Sequence, residues 1–265
     1  MNLAIMLVAI AALMIVMTIA WLVHRRTKNA GWIDALWTFG TGLSASIAAL
    51  IPMHGTSTAR QMLVASLAFI WAIRLGTHIV RRNLARPDDP RYAAIYAGYG
   101  ADADRQFFWF LQKQAWCGGI LIAAICAAAW RPGDNLTLQD IVGASILLIA
   151  IVGEAIADRQ LRRFGAAPEN RGRVCDHGLW RYSRHPNYFF DWLGWIAYPI
   201  IAIDLGGSNP WGWLALGAPA MMYWLLVYVS GIPPLEQQMI ASRGTAYEVY
   251  RTRTNAFFPG PKRRG

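Results

Sequence analysis

The densest run of chemically capable side chains lies between residues 158 and 191, which read DRQLRRFGAAPENRGRVCDHGLWRYSRHPNYFFD. Seven arginines (Arg159, Arg162, Arg163, Arg171, Arg173, Arg181 and Arg184) are interleaved there with Asp158, Asp176, Tyr182, His185 and Asn187. The planar guanidinium fork suits bidentate recognition of phosphate. Asn, Asp and Tyr can read amide, ribose and base edges, and a helix opening at Pro186 presents free N–H groups to an anion. The residue types together point to a site for a phosphate-bearing cofactor. No GxGxxG follows a strand and no GxxxxGK[ST] is present, so neither the Rossmann nor the P-loop solution applies.

A second set of polar groups sits inside apolar stretches. Asp34 lies in GWIDALW. Arg74 and His78 are one turn apart, as are Glu154 and Asp158, and Asn187 and Asp191. An ionisable group deep in a bilayer costs about 2.5–3.5 kcal/mol on insertion scales, so it normally faces a bundle interior or a wet cavity. Residues four apart share a helix face. One polar cavity would satisfy them all. Simpler structural roles compete with that reading: Arg74 as the ion-pair partner of Asp34, Glu154 and Asp158 as balance for the arginine loop, His78 as an interfacial residue. Most of the 13 tryptophans read as interface anchors.

The elements that must position these groups are membrane helices. The chain has 265 residues, 55% hydrophobic and only 15% charged, with mean hydropathy +0.29. A soluble domain carries about a quarter charged residues. The apolar residues fall into blocks of the length that crosses ~30 Å of hydrocarbon: 2–23, 31–52, 61–80, 107–129, 139–157, 188–205 and 211–230. The first block lacks a positive n-region and is followed by His24, Arg25 and Arg26, the reverse of a cleavable signal, and reads as a retained span. Three cysteines form no metal-ligand pattern, and their odd number argues against a disulfide framework. The expected fold is all-α: one integral membrane domain, residues 1–265, with seven transmembrane helices and a cytoplasmic cofactor site.

Charge settles the expected orientation. Arg25, Arg26 and Lys28, then Arg81, Arg82, Arg86, Arg91 and Arg105, then the seven loop arginines, then Arg243, Arg251, Arg253, Lys262, Arg263 and Arg264 occupy alternate connections and account for 21 of the 25 basic residues. The opposite connections hold only Arg60 and Arg131. The bias of Lys and Arg to the cytoplasmic side places the N-terminus outside and the C-terminus in the cytoplasm. The net charge of +10 is thereby explained without nucleic acid, and the PKRR tail reads as a contact with anionic lipid headgroups.

The string GLWRYSRHPNYFFD resembles the membrane reductases of the steroid 5-alpha-reductase superfamily, most closely its uncharacterised bacterial branch. Related ArgHisPro sequences occur in isoprenylcysteine carboxyl methyltransferases and phospholipid methyltransferases. Asn187 and Asp191 favour the reductases, because the methyltransferases typically carry Ser or Met at the Asn position. The resemblance covers residues 154–195 well, 235–258 loosely, and the first 110 residues only as a hydrophobic pattern. It implies an NADPH site in which Asn187 meets the nicotinamide carboxamide above Asp191. In that site Arg162, Arg163 and Arg173 take phosphates, with Asp158, Tyr182, His185 and Glu236 around them. It also implies a bacterial inner membrane location. The steroid reductases use an acid on span 2 and a Tyr on span 3 to polarise their ketone. Here the third block has no Tyr, and Asp34 is the only acid on the second.

The implied reaction is reduction of an activated C=C bond in an apolar steroid-, sterol- or isoprenoid-like substrate. Negative charge then develops on the enone oxygen and needs a preorganised donor. The catalytic candidates are Asp34, Arg74 and His78. Burial would hold Asp34 neutral beside a charged Arg74, with Trp37 as an apolar wall. The alternative enzyme is an S-adenosylmethionine-dependent methyltransferase using His185 and Glu236. A non-enzymatic scaffold or carrier would explain the spans and leave the loop's residue choice unexplained.

Overall fold

The computed structural model describes residues 2–84 and 88–263, so Arg86 and Arg264 lie outside the described residues. These residues form ten α-helices: α1 (Leu3–Thr27), α2 (Trp32–Leu50), α3 (Thr58–Leu84), α4 (Pro90–Gly98), α5 (Ala103–Ala129), α6 (Leu138–Ala166), α7 (Pro186–Ala202), α8 (Gly217–Trp224), α9 (Ile232–Arg243) and α10 (Thr245–Arg253). No strand occurs among them. Six helical stretches are long and apolar enough to cross a membrane: Leu3–Thr27, Trp32–Leu50, Thr58–Leu84, Gly100–Ala129, Leu138–Ala166 and Pro210–Arg243. The chain is therefore a multi-pass membrane protein. The expected span 188–205 corresponds to α7, whose 17 residues reach about 26 Å at 1.5 Å per residue, a little short of the hydrocarbon core.

By its contacts the chain divides into two compact units. One comprises Met1–Ala144 and Tyr198–Ala218, the other Ser145–Ala197 and Pro219–Gly265. The boundary falls within α6, near the end of α7, and within α8.

In the first unit α1, α2, α3 and α5 pack on one another. Helix α1 is apolar all round, the pattern of a lipid-exposed helix. It buries a seam of Met6, Ala9, Leu13, Met17, Ala20 and His24, spaced three and four apart, and leaves Leu7, Val8, Ile15, Ile19 and Leu22 exposed. Lipid tails are as apolar as leucine, so helix association in a bilayer rests on close packing and interhelical hydrogen bonds. The α2–α3 contact follows that rule. A Cβ on Gly42 would lie 2.1 Å from that of Ala72, and the Ser46 hydroxyl donates to the Ala65 carbonyl at 3.0 Å.

The same unit buries an ion cluster. Arg60 donates to Asp140 through Nε at 3.0 Å and to the carbonyls of Arg131 and Asn135; Arg131 donates to the other Asp140 oxygen at 2.8 Å. The backbone N–H and hydroxyl of Thr137 complete the shell at 2.7 and 2.9 Å. These are the two basic residues of the charge-poor connections, and both are buried.

In the second unit the apolar run after residue 210 breaks: α8 passes into a single wide turn at Leu225–Val229, then bends at Ser230–Gly231 before α9. A Cβ on Gly231 would lie 2.4 Å from the Leu226 carbonyl oxygen, so the bend admits no side chain there. On α6, Gly153 lets the Phe190 ring of α7 lie against the helix, where a Cβ would be 2.4 Å from it.

Candidate functional site

Every catalytic candidate (Asp34, Arg74, His78) belongs to the first unit, and every cofactor-binding candidate belongs to the second.

Asp34 stands in the first turn of α2, where the segment after α3 folds over the helix start. Asp88 accepts from the Ala30 N–H at 2.7 Å, and the Asn83 amide donates to the Gly31 carbonyl. Asp89 caps α4 by accepting from the Arg91 N–H at 3.0 Å, the usual N-cap role of an aspartate. That cap aims Arg91 so that one Nη reaches both Asp89 (2.8 Å) and Asp34 (2.7 Å). Arg82 lies 3.9 Å from Asp34 and 3.7 Å from Asp89. The Tyr92 hydroxyl donates to the second Asp34 oxygen at 2.5 Å, and Gln114 donates to the Tyr92 oxygen at 3.1 Å. Trp37, expected as a bare apolar wall, donates its indole N–H to the Gln114 carbonyl at 2.9 Å.

The electrostatics follow from this geometry. Burial pushes the Tyr92 phenol well above its ordinary value, and the neighbouring Asp34 charge adds to the shift. Burial works against the charge on Arg91, but the Asp34 and Asp89 carboxylates outweigh it and raise the guanidinium further. For Asp89 the desolvation is likewise overcome by Arg91 and Arg82, which hold its carboxyl below the usual range. Asp34 accepts in every contact it makes, and its side chain is 27% exposed. The expected pairing of Asp34 with Arg74 is thus corrected: its partners are Arg91, Arg82 and Tyr92, and Tyr92 is the hydroxyl donor among them. Arg74 and His78 are half-buried on α3, and neither is among those partners.

In the second unit, the loop between α6 and α7 is held by its own polar anchors. The Gln160 carbonyl oxygen accepts from the Leu179 N–H at 2.9 Å, and the buried Trp180 donates to the Ala157 carbonyl at 3.0 Å. The C-terminal segment then locks the loop's end. Ser183 donates to the Phe257 carbonyl at 2.8 Å, the Arg184 N–H to the Asn255 carbonyl at 2.8 Å, and the Tyr250 hydroxyl to the Trp180 carbonyl at 2.5 Å. Phe257 and Phe258 pack into a ring cluster with Phe189, Trp192 and Tyr223. The tail's Lys262 pairs with Asp176 at 2.7 Å.

Glu236 is the hub of this frame. It accepts from Arg184 Nε at 2.7 Å and His185 Nε2 at 3.1 Å, and Arg251 approaches its other oxygen at 3.3 Å. The His185 ring is 2% exposed and stacks on Tyr188 with centroids 5.5 Å apart. Burial holds its pKa below the ordinary value, against the upward pull of Glu236. Both residues, expected to touch a cofactor, are engaged in tying α9 and α10 to the loop.

The other candidates divide by exposure. Asp158 is buried on α6. Asn187 and Asp191 are half-buried on the first two turns of α7, while Arg162, Arg163, Arg173 and Tyr182 are exposed. The structure also sorts the loop arginines. Arg184 is paired; Arg159, Arg163, Arg171, Arg173 and Arg181 have no carboxylate partner among the described residues. Sequence reasoning missed Arg91, Tyr92, Arg184 and Arg251. A signal existed for the first two, since AspProArgTyr at 89–92 is a helix start with a cap and a proline at the first position. A groove of about 360 Å³ opens between α6 and the loop, bounded by Gly153, Ile156, Gln160, Arg181, Tyr182 and Phe190.

No curated protein and no solved structure matches the chain. A family model described as "Protein of unknown function (DUF1295)" matches residues 20–254. That span takes in both the Asp34–Tyr92 cluster and the Glu236 frame, and the chain belongs to this family.

Proposed function

We propose that the chain is a bacterial inner-membrane oxidoreductase that uses NADPH to reduce an activated C=C bond in an apolar steroid-, sterol- or isoprenoid-like substrate. In this reading α7 is the sixth of seven spans in chain order, the N-terminus is outside and the arginine loop is cytoplasmic. The burial of Arg60 and Arg131 on Asp140 supports that orientation, because it leaves the opposite connections without a free basic group.

The observation that carries the proposal is that Arg163, at the end of α6, and Arg173, in the loop, are both exposed with no carboxylate partner among the described residues. Such a donor set fits a dinucleotide's phosphates. NADPH, when bound, supplies a hydride. Arg162, Arg163 and Arg173 would take the phosphates, Asn187 the carboxamide, and Asp158, Tyr182 and Asp191 would line the site. His185 and Glu236 serve it by holding the loop. In the first unit, Tyr92 on α4 brings to Asp34 the phenol that the third span lacks, with Tyr92 the protonated donor for a developing enolate. The methyltransferase alternative requires a free Glu236, and its carboxylate already faces Arg184, His185 and Arg251.

The test is thermal-shift titration of detergent-purified protein with NADPH, NADH and S-adenosylmethionine. A ligand that binds only the folded state adds about 2.7 kcal/mol at a hundredfold excess over Kd. A shift selective for NADPH and lost in Asn187→Ala is expected, followed by enone-dependent NADPH oxidation that Tyr92→Phe reduces. A shift selective for S-adenosylmethionine overturns the proposal.

A further inference from the structure

The groove beside α6 lies where that helix changes character. Its exposed stripe runs Ile149, Val152, Ile156 at helical spacing, each residue more than 40% exposed. One turn further on, Arg159, Gln160 and Arg163 make the end of α6 polar. The groove spans this border. Its apolar lining is Ile156, the bare Gly153 backbone and the Phe190 ring that Gly153 admits; its polar lining is Arg181, Tyr182 and Gln160. Arg181 is exposed and has no carboxylate partner among the described residues. The polar rim is fixed in place, because Gln160 holds the Leu179 N–H and Gly178 takes a left-handed φ of 59° that brings it against the Gln160 side chain.

An apolar channel that continues the lipid-facing stripe and ends at an unneutralised guanidinium has the polarity of one kind of molecule. We propose that this groove binds an anionic phospholipid, with an acyl chain along Ile156, Gly153 and Phe190 and the headgroup phosphate on Arg181. Charge complementarity selects the anion, and the position of Arg181 at the end of the apolar stripe selects a lipid over a free phosphate. The groove shares Tyr182 with the residues assigned to NADPH, but its charge does not come from them, since Arg181 is not among those residues.

The experiment is native mass spectrometry of the detergent-purified full chain titrated with phosphatidylglycerol, with phosphatidylcholine of the same acyl chains, and with inorganic phosphate. Preferential retention of phosphatidylglycerol is expected, weakened about tenfold or more in Arg181→Gln, the loss of one charge-assisted contact. Ile156→Trp, which fills the apolar end from an exposed position, should weaken it without touching the charge. The NADPH thermal shift is measured in parallel on Arg181→Gln and should be unchanged. Equal retention of both lipids, or wild-type retention by Arg181→Gln, overturns the proposal. So does displacement of the lipid by inorganic phosphate. Loss of the NADPH shift in Arg181→Gln also overturns it, by reassigning the arginine to the cofactor.

Discussion

Removing the Glu236 carboxylate separates a structural hub from a ligand-binding acid. In Glu236→Ala, Arg184 loses its carboxylate while its side chain stays only 11% exposed, and His185, 2% exposed, loses its Nε2 acceptor. Breaking a buried ion pair from one side costs about 3–5 kcal/mol. Arg251 is 42% exposed and adds only ~0–1 kcal/mol. Arg184 keeps two carbonyl acceptors, those of Arg251 at 3.1 Å and Thr254 at 2.6 Å, so the individual bonds do not sum and the total stays near that range. At about 2–4 °C per kcal/mol for a chain of this size, the melting temperature should fall by roughly 6–20 °C. Glu236→Gln, which retains one acceptor oxygen, should fall between. The assay is thermal unfolding in one detergent at one scan rate, since the apparent midpoint depends on both. An alanine variant melting within about 2 °C of the parent would refute the hub. A parent shifted by S-adenosylmethionine, with that shift abolished in an undiminished Glu236→Gln, would make the acid a ligand instead.

Three further outcomes are expected. His185 has its folded pKa lowered by burial, so the unfolded state binds more protons as pH falls below the ordinary value of 6.5; stability is present above that value and lost on acidification. Melting curves between pH 8 and pH 5 should therefore slope downward for the parent and less for His185→Gln, and parallel slopes would contradict the assignment. Gly42→Ala places a methyl 2.1 Å from the Ala72 Cβ and should cost about 1–3 kcal/mol through overpacking, with Ala72→Gly restoring thermal stability in the double variant. Asp140→Ala leaves Arg60 and Arg131 buried against each other and should cost about 3–5 kcal/mol; a melting temperature equal to the parent's would show that carbonyl acceptors alone suffice.

The membrane class and most of the helices were legible in the sequence because hydrocarbon thickness imposes a length and an apolarity that need no tertiary knowledge. The blocks at 2–23, 31–52, 61–80, 107–129 and 139–157 each fall on a helix, whereas 188–205 becomes the shorter α7 and 211–230 ends at the Gly231 bend. The choice of partners was not legible. Asp34 meets Arg91 and Tyr92 from 57 and 58 residues away, and Arg184 meets Glu236 from 52. Local spacing pairs only groups within a turn or two of each other, so it joined Arg74 to His78 and Glu154 to Asp158 but could not find the partners of Asp34 or tell a paired loop arginine from a free one. By itself, then, the sequence determined where apolar helices form and which connections carry charge, because both depend on local composition. Tertiary structure alone decided which charges are neutralised, because that depends on which distant segments the packing of α4, α9 and α10 brings within hydrogen-bond reach.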